Sequence, residues 1–129
     1  MEYKLGNTCA YNINYHLVWT PKRRAKVLIG DIATNVKEIL IECSKEINVT
    51  IETMEVMPDH VHIFVSARPT ISPHKIVKKF KGKTSNILRK KYPQLCKLPA
   101  LWSSSYYCGS VGHVSESVVK LYIENQKGK

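Results

Sequence analysis

Two histidines stand one residue apart in the stretch MPDHVHIFVS, residues 57–66. The stretch is typical of a buried strand entered through a Pro-Asp turn, and alternation along that strand places His60 and His62 on the same face. Residues two apart on a strand lie roughly 6.5 to 7 Å apart at Cα, so two imidazoles there can bind one divalent cation. Two histidines alone do not complete a metal site, and a pair of partly exposed histidines without a ligand is an equally good interpretation.

The closing segment SESVVKLYIENQKGK carries residues that would complete such a site. Val118, Tyr122 and Gln126 follow one another at four-residue spacing and therefore form one stripe on a helix. The Tyr122 hydroxyl is a candidate catalytic group, and the Gln126 amide oxygen is a candidate third metal ligand. A tyrosine in an apolar stripe is more often a core residue, and a glutamine near a C-terminus is more often solvated. Spacing alone does not decide between these interpretations.

Basic residues dominate the charge of the chain. Twenty Lys and Arg against ten Asp and Glu give a formal net charge of +10, and such an excess in a small protein favours a polyanionic partner such as nucleic acid. The basic residues concentrate in a loop after the first strand and in the second helix, where they either contact a phosphate backbone or form a solvated face. The candidate DNA-binding residues are Lys22, Arg23, Arg24, Lys75, Lys78, Lys79 and Lys83.

The elements that must position these groups follow the order βαββαβα. We expect an α+β fold of the ferredoxin-like, RRM-like kind, in which an antiparallel βαββαβ sheet carries two helices on one face and an additional C-terminal helix contains Tyr122. The other face of the sheet is free to receive that last helix. A length of 129 residues fits one domain, 1–129.

Local signals predict where the helices begin and which residues they bury. Asp31 is the expected N-cap of the first helix, and Ser72 followed by Pro73 predicts the start of the second. In the second helix the residues expected to face inward are Ile76, Val77, Phe80, Ile87 and Leu88.

Several classes of protein are disfavoured by what the sequence lacks. The start MEYKLGNTCAYN has no basic leader followed by an apolar run, and no segment has the ~20 apolar residues of a membrane span, so we expect a cytoplasmic protein without a membrane partner. No phosphate-binding glycine loop is present, so no nucleotide cofactor is expected. The four cysteines lack CxxC spacing and are expected to be buried thiols.

Three stretches together resemble a known family. MPDHVHIFVS, the early YHLVWTPKRRAKVL and the closing SYYCGSVGHVSESVVKLYIENQ are similar to the small single-tyrosine HUH transposases of the insertion-sequence 200/605 type. The HUH motif of that family, two histidines around a bulky apolar residue, matches residues 60–62, and its YxxxQ helix motif matches residues 122–126. The resemblance extends from about Tyr11 to Gln126.

The resemblance implies an enzyme that cleaves and rejoins single-stranded DNA at the ends of a mobile element. By position, Tyr122 is the nucleophile that forms a 5′-phosphotyrosine link, and His60, His62 and Gln126 bind Mg²⁺ or Mn²⁺. The implied partners are single-stranded DNA with hairpin ends and a second copy of the chain, with the tyrosine helix of one subunit completing the histidine site of the other.

Other functions remain open at this point. A replication initiator or a domesticated nickase would use the same chemistry in another role. A non-catalytic single-stranded nucleic-acid binding module would use aromatic residues on an open ferredoxin-like sheet, although His60 and His62 stand where such a sheet would want aromatic rings. His113, beside GSVG, is expected to be a loop residue rather than an extra ligand.

Overall fold

The computed structural model describes residues 4–5, 10–110 and 116–129, with the side chains of Glu116 and Ser117 left out. His113, the end of the stretch 103–112 and the start of the last helix at Ser115 lie outside this description. The helices and strands are β1 (Lys4–Leu5), β2 (Ala10–Tyr11), β3 (Ile13–Trp19), α1 (Gly30–Glu46), β4 (Thr50–Met57), β5 (His60–Ala67), α2 (Pro73–Lys91), β6 (Tyr107–Ser110) and α3 (Glu116–Glu124).

The main sheet has four strands in the order β4-β5-β3-β6, and every neighbouring pair is antiparallel. The first and third long strands are therefore central, which is the arrangement of a ferredoxin-like βαββαβ fold. β1 and β2 form a separate two-stranded pair. The predicted fold class, including the helix that follows β6, is confirmed.

The hairpin of β4 and β5 places the histidine stretch. Met57 pairs with His60, so only Pro58 and Asp59 form the turn. A two-residue turn fixes the register of the two strands, and the register decides which face each side chain occupies. Along β5 the burial alternates from His60 onward, and Val61 is completely buried.

The hydrophobic core lies between the sheet and the layer formed by α1 and α2. Val61, Ile63 and Val65 project from β5 into this core and are fully buried. They pack with Leu40 of α1 and Phe80 of α2, both also fully buried. Because this face is sealed by the helices, the side chains of alternate residues, including the histidines, project from the opposite face.

The start of α2 is as predicted, whereas the start of α1 is not. The Ser72 hydroxyl accepts a hydrogen bond from the Lys75 backbone N–H, 3.1 Å long, and Pro73 is the first helical residue. α1 begins at Gly30, whose φ of +57° lets the chain turn into the helix two residues earlier than an Asp31 N-cap implies. Asp31 therefore lies in the first turn, where its charge favours the helix dipole but makes no cap.

Two expectations about burial are wrong. Ile87 is 38% exposed, and Thr84 takes the buried position between Phe80 and Leu88 on α2, because the inward stripe repeats every four residues from Ile76. Of the cysteines within the described residues, Cys43 is buried, whereas two others, at positions 96 and 108, are exposed. In the described part of the chain, no helix combines the length and apolar character needed to cross a membrane.

Candidate functional site

His60 and His62 project from the sheet face that α1 and α2 leave uncovered, and both are partly buried. The His60 Nδ1 lies 2.9 Å from the Asp59 carboxylate, which accepts its proton in a hydrogen bond. A carboxylate at Nδ1 holds a histidine in the tautomer that leaves the Nε2 lone pair free, as is usual for metal-binding histidines. The tight turn thus supplies both a candidate ligand and the group that orients it.

His62 has a neighbour that the sequence did not indicate. His16 of β3 lies with its Nδ1 3.2 Å from the His62 Nε2, and the two ring centroids are 5.4 Å apart. Burial and the neighbouring His16 both lower the pKa of His62, with Glu55 acting in the opposite direction. A lowered pKa keeps the His62 imidazole neutral near pH 7, and the neutral form is the one that binds a metal.

The Ser105 side chain contacts both candidate residues of the C-terminal segment, Tyr122 and Gln126. The Ser105 Oγ lies 3.0 Å from the Tyr122 hydroxyl and 3.1 Å from the Gln126 Oε1. Because the serine hydroxyl has one proton and the amide oxygen can only accept, Ser105 donates to Gln126 and Tyr122 donates to Ser105. Gln126 is only 6% exposed, and Ser103 Oγ is a second donor to the same oxygen at 3.5 Å.

Burial raises the pKa of the Tyr122 hydroxyl, and the hydroxyls of Ser105 and Ser103, which can donate to the phenolate once it forms, partly offset this effect. The phenol is therefore neutral at physiological pH, and it needs to lose its proton as it attacks. Tyr122 is half-buried, and its ring packs beside the Tyr107 ring of β6, with the two centroids 6.1 Å apart.

A row of paired residues across the sheet connects the histidines with the residues that contact Tyr122. His62 pairs across the sheet with Val18, which in turn pairs with Tyr107 on the edge strand β6. Paired residues of antiparallel strands project from the same face, and strands lie about 4.8 Å apart, so His62 and Tyr107 are roughly 10 Å apart at Cα. Since Tyr107 contacts Tyr122, helix α3 meets the histidine face at its border rather than lying across its middle.

Arg24 makes a second link between the histidine hairpin and α3. Its Nε lies 3.5 Å from the Asp59 carboxylate, and its Nη1 donates to the Ile123 carbonyl oxygen at 3.4 Å. Arg24 has a φ of +52° and follows Arg23 with a φ of +58°, a conformation that non-glycine residues adopt at a cost of about 1 kcal/mol each. The strained loop therefore directs one guanidinium toward both the histidine turn and the tyrosine helix.

A divalent cation has enough protein ligands only if the two histidines and Gln126 bind it together. Among the described residues, no three side chains of the types His, Cys, Asp and Glu are placed to hold a metal ion together. The imidazoles of His60 and His62 with the Gln126 oxygen form a suitable mixed set, and Gln126 would need to exchange its serine hydrogen bonds for the metal. The structure shows each of these groups at the same end of the sheet without a direct contact between Gln126 and either histidine.

The predicted DNA-binding residues fall on two different parts of the molecule. Lys22, Arg23 and Arg24 form a short 3-10 turn beside the histidine hairpin. The lysines of α2 lie in the helical layer, on the far side of the sheet from His60, where they line a groove of about 580 Å³ against α1. One of them, Lys83, forms an ion pair with Glu46 at 3.3 Å. The α2 lysines that line this groove are Lys75, Lys78, Lys79 and Lys83.

Sequence reasoning missed His16, Ser103, Ser105 and Lys81. The sequence pattern places His16 with Asn14 on the polar face of β3. The approach of His16 to His62, however, depends on the register of β3 with β5. Ser105 lies in the run SSSYY, where nothing distinguishes one serine from the next. Lys81 is one of several lysines on α2, and its inward direction depends on the packing of the segment after α2.

Comparisons with known proteins identify the family of the chain. The family described as "Transposase IS200 like" matches residues 9–126. The ISDra2 transposase TnpA of Deinococcus radiodurans is 36% identical over 132 residues, covering 100% of this chain and 94% of the relative. A transposase for insertion sequence element IS200 of Salmonella typhimurium is 29% identical, covering 97% of this chain and 83% of the relative.

Two solved structures are similar as well. A crystal structure from Deinococcus radiodurans R1, described as a candidate transposase, has a TM-score of 0.88 and 33% identity, covering 98% of this chain and 99% of that one. A REP-associated tyrosine transposase bound to a REP hairpin has a TM-score of 0.58 and 11% identity, covering 93% and 69%, and so shares the fold. The resemblance drawn from the motifs is confirmed, and the chain belongs to the IS200-like transposase family, whose members cleave DNA and transfer its strands.

Proposed function

We propose that the protein cleaves and rejoins single-stranded DNA at the ends of an insertion sequence through a 5′-phosphotyrosine intermediate on Tyr122. The observation that supports this most is the meeting of Tyr122 and Gln126 at Ser105, on the border of the sheet face that carries His60 and His62. A tyrosine and an amide oxygen held by one hydroxyl, on the border of a face that carries two histidines, form a set suited to phosphoryl transfer.

The reaction exchanges one phosphodiester for another. The Tyr122 oxygen forms a bond to the scissile phosphorus while the bond from phosphorus to the 3′ oxygen breaks, and that oxygen takes up a proton to give a free 3′ hydroxyl. The phenolic proton passes to solvent, and solvent returns a proton to the departing 3′ oxygen, while the Ser105 Oγ, 3.0 Å from the Tyr122 hydroxyl, orients the phenol. Because the energy of the phosphodiester is kept in the tyrosine link, rejoining is the reverse reaction and needs no nucleotide cofactor.

A divalent cation, Mg²⁺ or Mn²⁺, is part of the proposal, with His60, His62 and Gln126 as its protein ligands. When bound, such an ion stabilises the negative charge that gathers on the phosphate. The Asp59 hydrogen bond orients the His60 ring, and the contact with His16 keeps the His62 ring in place. These second partners hold the two imidazole rings in fixed orientations, which favours metal binding.

The DNA substrate is proposed to be single-stranded with hairpin ends. The structural relative bound to a REP hairpin has the same fold, and the net charge of +10 suits a nucleic-acid partner. The basic turn at residues 22–24 lies beside the histidines and is placed to contact phosphates next to the cleaved bond, whereas the lysine groove of α2 would contact a more distant part of the DNA.

We further propose a homodimer in which the tyrosine helix of one subunit completes the histidine site of the other. Two features support it. α3 exposes the apolar residues Val118 and Leu121, which are 47% and 57% exposed, and Gln126 makes no contact with His60 or His62 among the described residues. A mixture of Tyr122→Phe subunits with His60→Ala/His62→Ala subunits should regain cleavage if the sites are shared. Lack of cleavage in the mixture would mean that each subunit acts alone.

The proposed activity is tested with hairpin-containing single-stranded oligonucleotides and Mg²⁺ or Mn²⁺, followed by a denaturing gel. The wild-type protein should form a covalent protein–DNA adduct, and a chelator should prevent it. Tyr122→Phe should form none, whereas the control Tyr92→Phe, at the distant end of α2, should match the wild type. An adduct that persists in Tyr122→Phe, or that forms in His60→Ala with chelator present, would contradict the assignment.

A further inference from the structure

Lys81 differs from the other lysines of α2 because its ammonium group points into the molecule. Its Nζ donates to the carbonyl oxygen of Ser103 at 2.8 Å and to that of Ser105 at 2.7 Å. Burial lowers the pKa of Lys81 to about 8, which agrees with a charge held away from solvent that remains mostly protonated at pH 7. An ammonium that uses two of its three donors inside the protein is poorly placed to bind a phosphate.

The segment that Lys81 holds is the one that binds the tyrosine and the glutamine. Ser105 contacts both Tyr122 and Gln126, and Ser103 contacts Gln126. Within the segment, Ser103 to Tyr106 belong to no strand or helix, and the Ser103 N–H donates to the Thr20 carbonyl oxygen at 3.0 Å. Its carbonyl groups are therefore fixed by side chains, and Lys81 provides a charge-assisted hydrogen bond to two of them.

α2 holds this segment at two successive turns of the helix. Thr84 lies three residues after Lys81 on the same face, and its hydroxyl accepts a hydrogen bond from the Trp102 indole at 2.8 Å. Thr84 itself donates to the Phe80 carbonyl and is completely buried. The Thr84 contact anchors the start of the segment in the core, and the Lys81 contact fixes the part that reaches α3.

We propose that Lys81 is a positioning residue for DNA cleavage, whose ammonium group fixes the Ser103–Ser105 backbone so that the Ser105 hydroxyl holds Tyr122 and Gln126 in place. This inference rests on the proposed function of Tyr122. If the tyrosine helix comes from the partner subunit, the same segment receives it, so Lys81 acts in the subunit that contributes the receiving segment. Lys81 does not touch the reacting atoms, and its effect passes through Ser105.

Removal of the ammonium should slow cleavage without weakening DNA binding. Lys81→Met keeps a similar chain but leaves two carbonyl oxygens without their donor, so the segment relaxes and Ser105 shifts. Misplacement of a reacting group by about 1 Å costs on the order of 100-fold in rate, and we expect a 10- to 100-fold slower formation of the Tyr122 adduct under single-turnover conditions. The affinity for the hairpin oligonucleotide should stay within about twofold of wild type, because the ammonium faces the protein.

The experiment compares Lys81→Met with Lys81→Arg and with a matched control. Arginine can still donate to two carbonyl groups and should restore at least part of the rate. Lys37→Met removes an exposed lysine of α1 that is outside the proposed site and should behave as the wild type. Melting temperatures measured on the same samples show whether Lys81→Met is folded. If Lys81→Met is not folded, the cleavage rate of Lys81→Arg is compared with that of the wild type instead.

A double-mutant cycle separates positioning from a general loss of structure. If Lys81 acts through Ser105, then Lys81→Met combined with Ser105→Ala should lose about as much rate as the more damaging single change, not the product of the two. Multiplicative losses would overturn the proposal, as would a wild-type rate in Lys81→Met or a loss of hairpin affinity equal to the loss of rate. A wild-type protein that forms no adduct at all would instead refute the proposed function of Tyr122.

Discussion

The hydroxyl of Ser105 connects the tyrosine and glutamine to the rest of the protein, and its removal has consequences that can be calculated. Ser105→Ala deletes the hydrogen bonds to Tyr122 and Gln126 and changes no other contact of the segment backbone. Each bond contributes about 0.5 to 1.5 kcal/mol to stability, which gives a loss of about 1 to 3 kcal/mol for the pair. The larger value applies if Gln126, which is nearly buried, finds no replacement donor.

Urea denaturation measures this loss, since a change in midpoint at constant slope reports stability alone. Ser104→Ala is the matched control: the residue is adjacent in the same segment but exposed, and its substitution should change stability by less than about 0.5 kcal/mol. The pKa of Tyr122 should rise further in Ser105→Ala, because the hydrogen bond with Ser105 is one of the interactions that lower this pKa. A stability equal to that of Ser104→Ala would refute the contact and the arguments built on it.

Three further changes test separate parts of the account. Arg23→Gly relieves a residue at φ +58° and should raise the free energy of unfolding by up to about 1 kcal/mol while lowering affinity for single-stranded DNA, as measured by urea denaturation and by fluorescence anisotropy. Ile63→Ala should cost about 2 to 5 kcal/mol of stability because it empties a fully buried core position, whereas the neighbouring His62→Ala should cost far less and abolish adduct formation; the reverse ranking would mean that His62 is structural. The pKa of Lys81 is lowered from 10.5 to about 8 in the folded protein, so folding releases a proton at pH values between 8 and 10.5. The stability of the wild type relative to Lys81→Met should therefore rise from about pH 8 to about pH 10.5. Urea denaturation at both pH values would show no such rise if Lys81 were solvated.

The parts of the fold that the sequence predicted depend on local interactions. Ser72 and Pro73 determine the start of α2 within one turn of chain, and Pro58 with Asp59 determines the hairpin that places His60. The predicted N-cap of α1, Asp31, was wrong by two residues because Gly30 can adopt a positive φ and so begin the helix ahead of Asp31. Such a choice depends on how the preceding loop meets the core, which no local pattern shows.

The sequence predicted the candidate site residues themselves, but not the residues that they contact. Alternation along β5 places His60 and His62 on one face, and four-residue spacing predicts that Tyr122 and Gln126 share one side of a helix. α3 ends at Glu124, so Gln126 lies in the turn that follows, and both residues still contact Ser105. Their partners could not be predicted in this way. His16 reaches His62 only through the register of β3 with β5, and the contacts of Ser105 and Lys81 join segments that are far apart in the sequence and depend on how they pack.

The most direct test of the central claim is to identify the residue that carries the DNA. After cleavage of a hairpin oligonucleotide, nuclease and trypsin digestion of the adduct should leave a nucleotide on one peptide, which mass spectrometry can locate. Trypsin separates Tyr122, in peptide 121–127, from the neighbouring tyrosines Tyr106 and Tyr107, in peptide 98–120. We predict the nucleotide mass on peptide 121–127, assigned to Tyr122 by fragmentation, and a nucleotide found instead on peptide 98–120 would contradict the account.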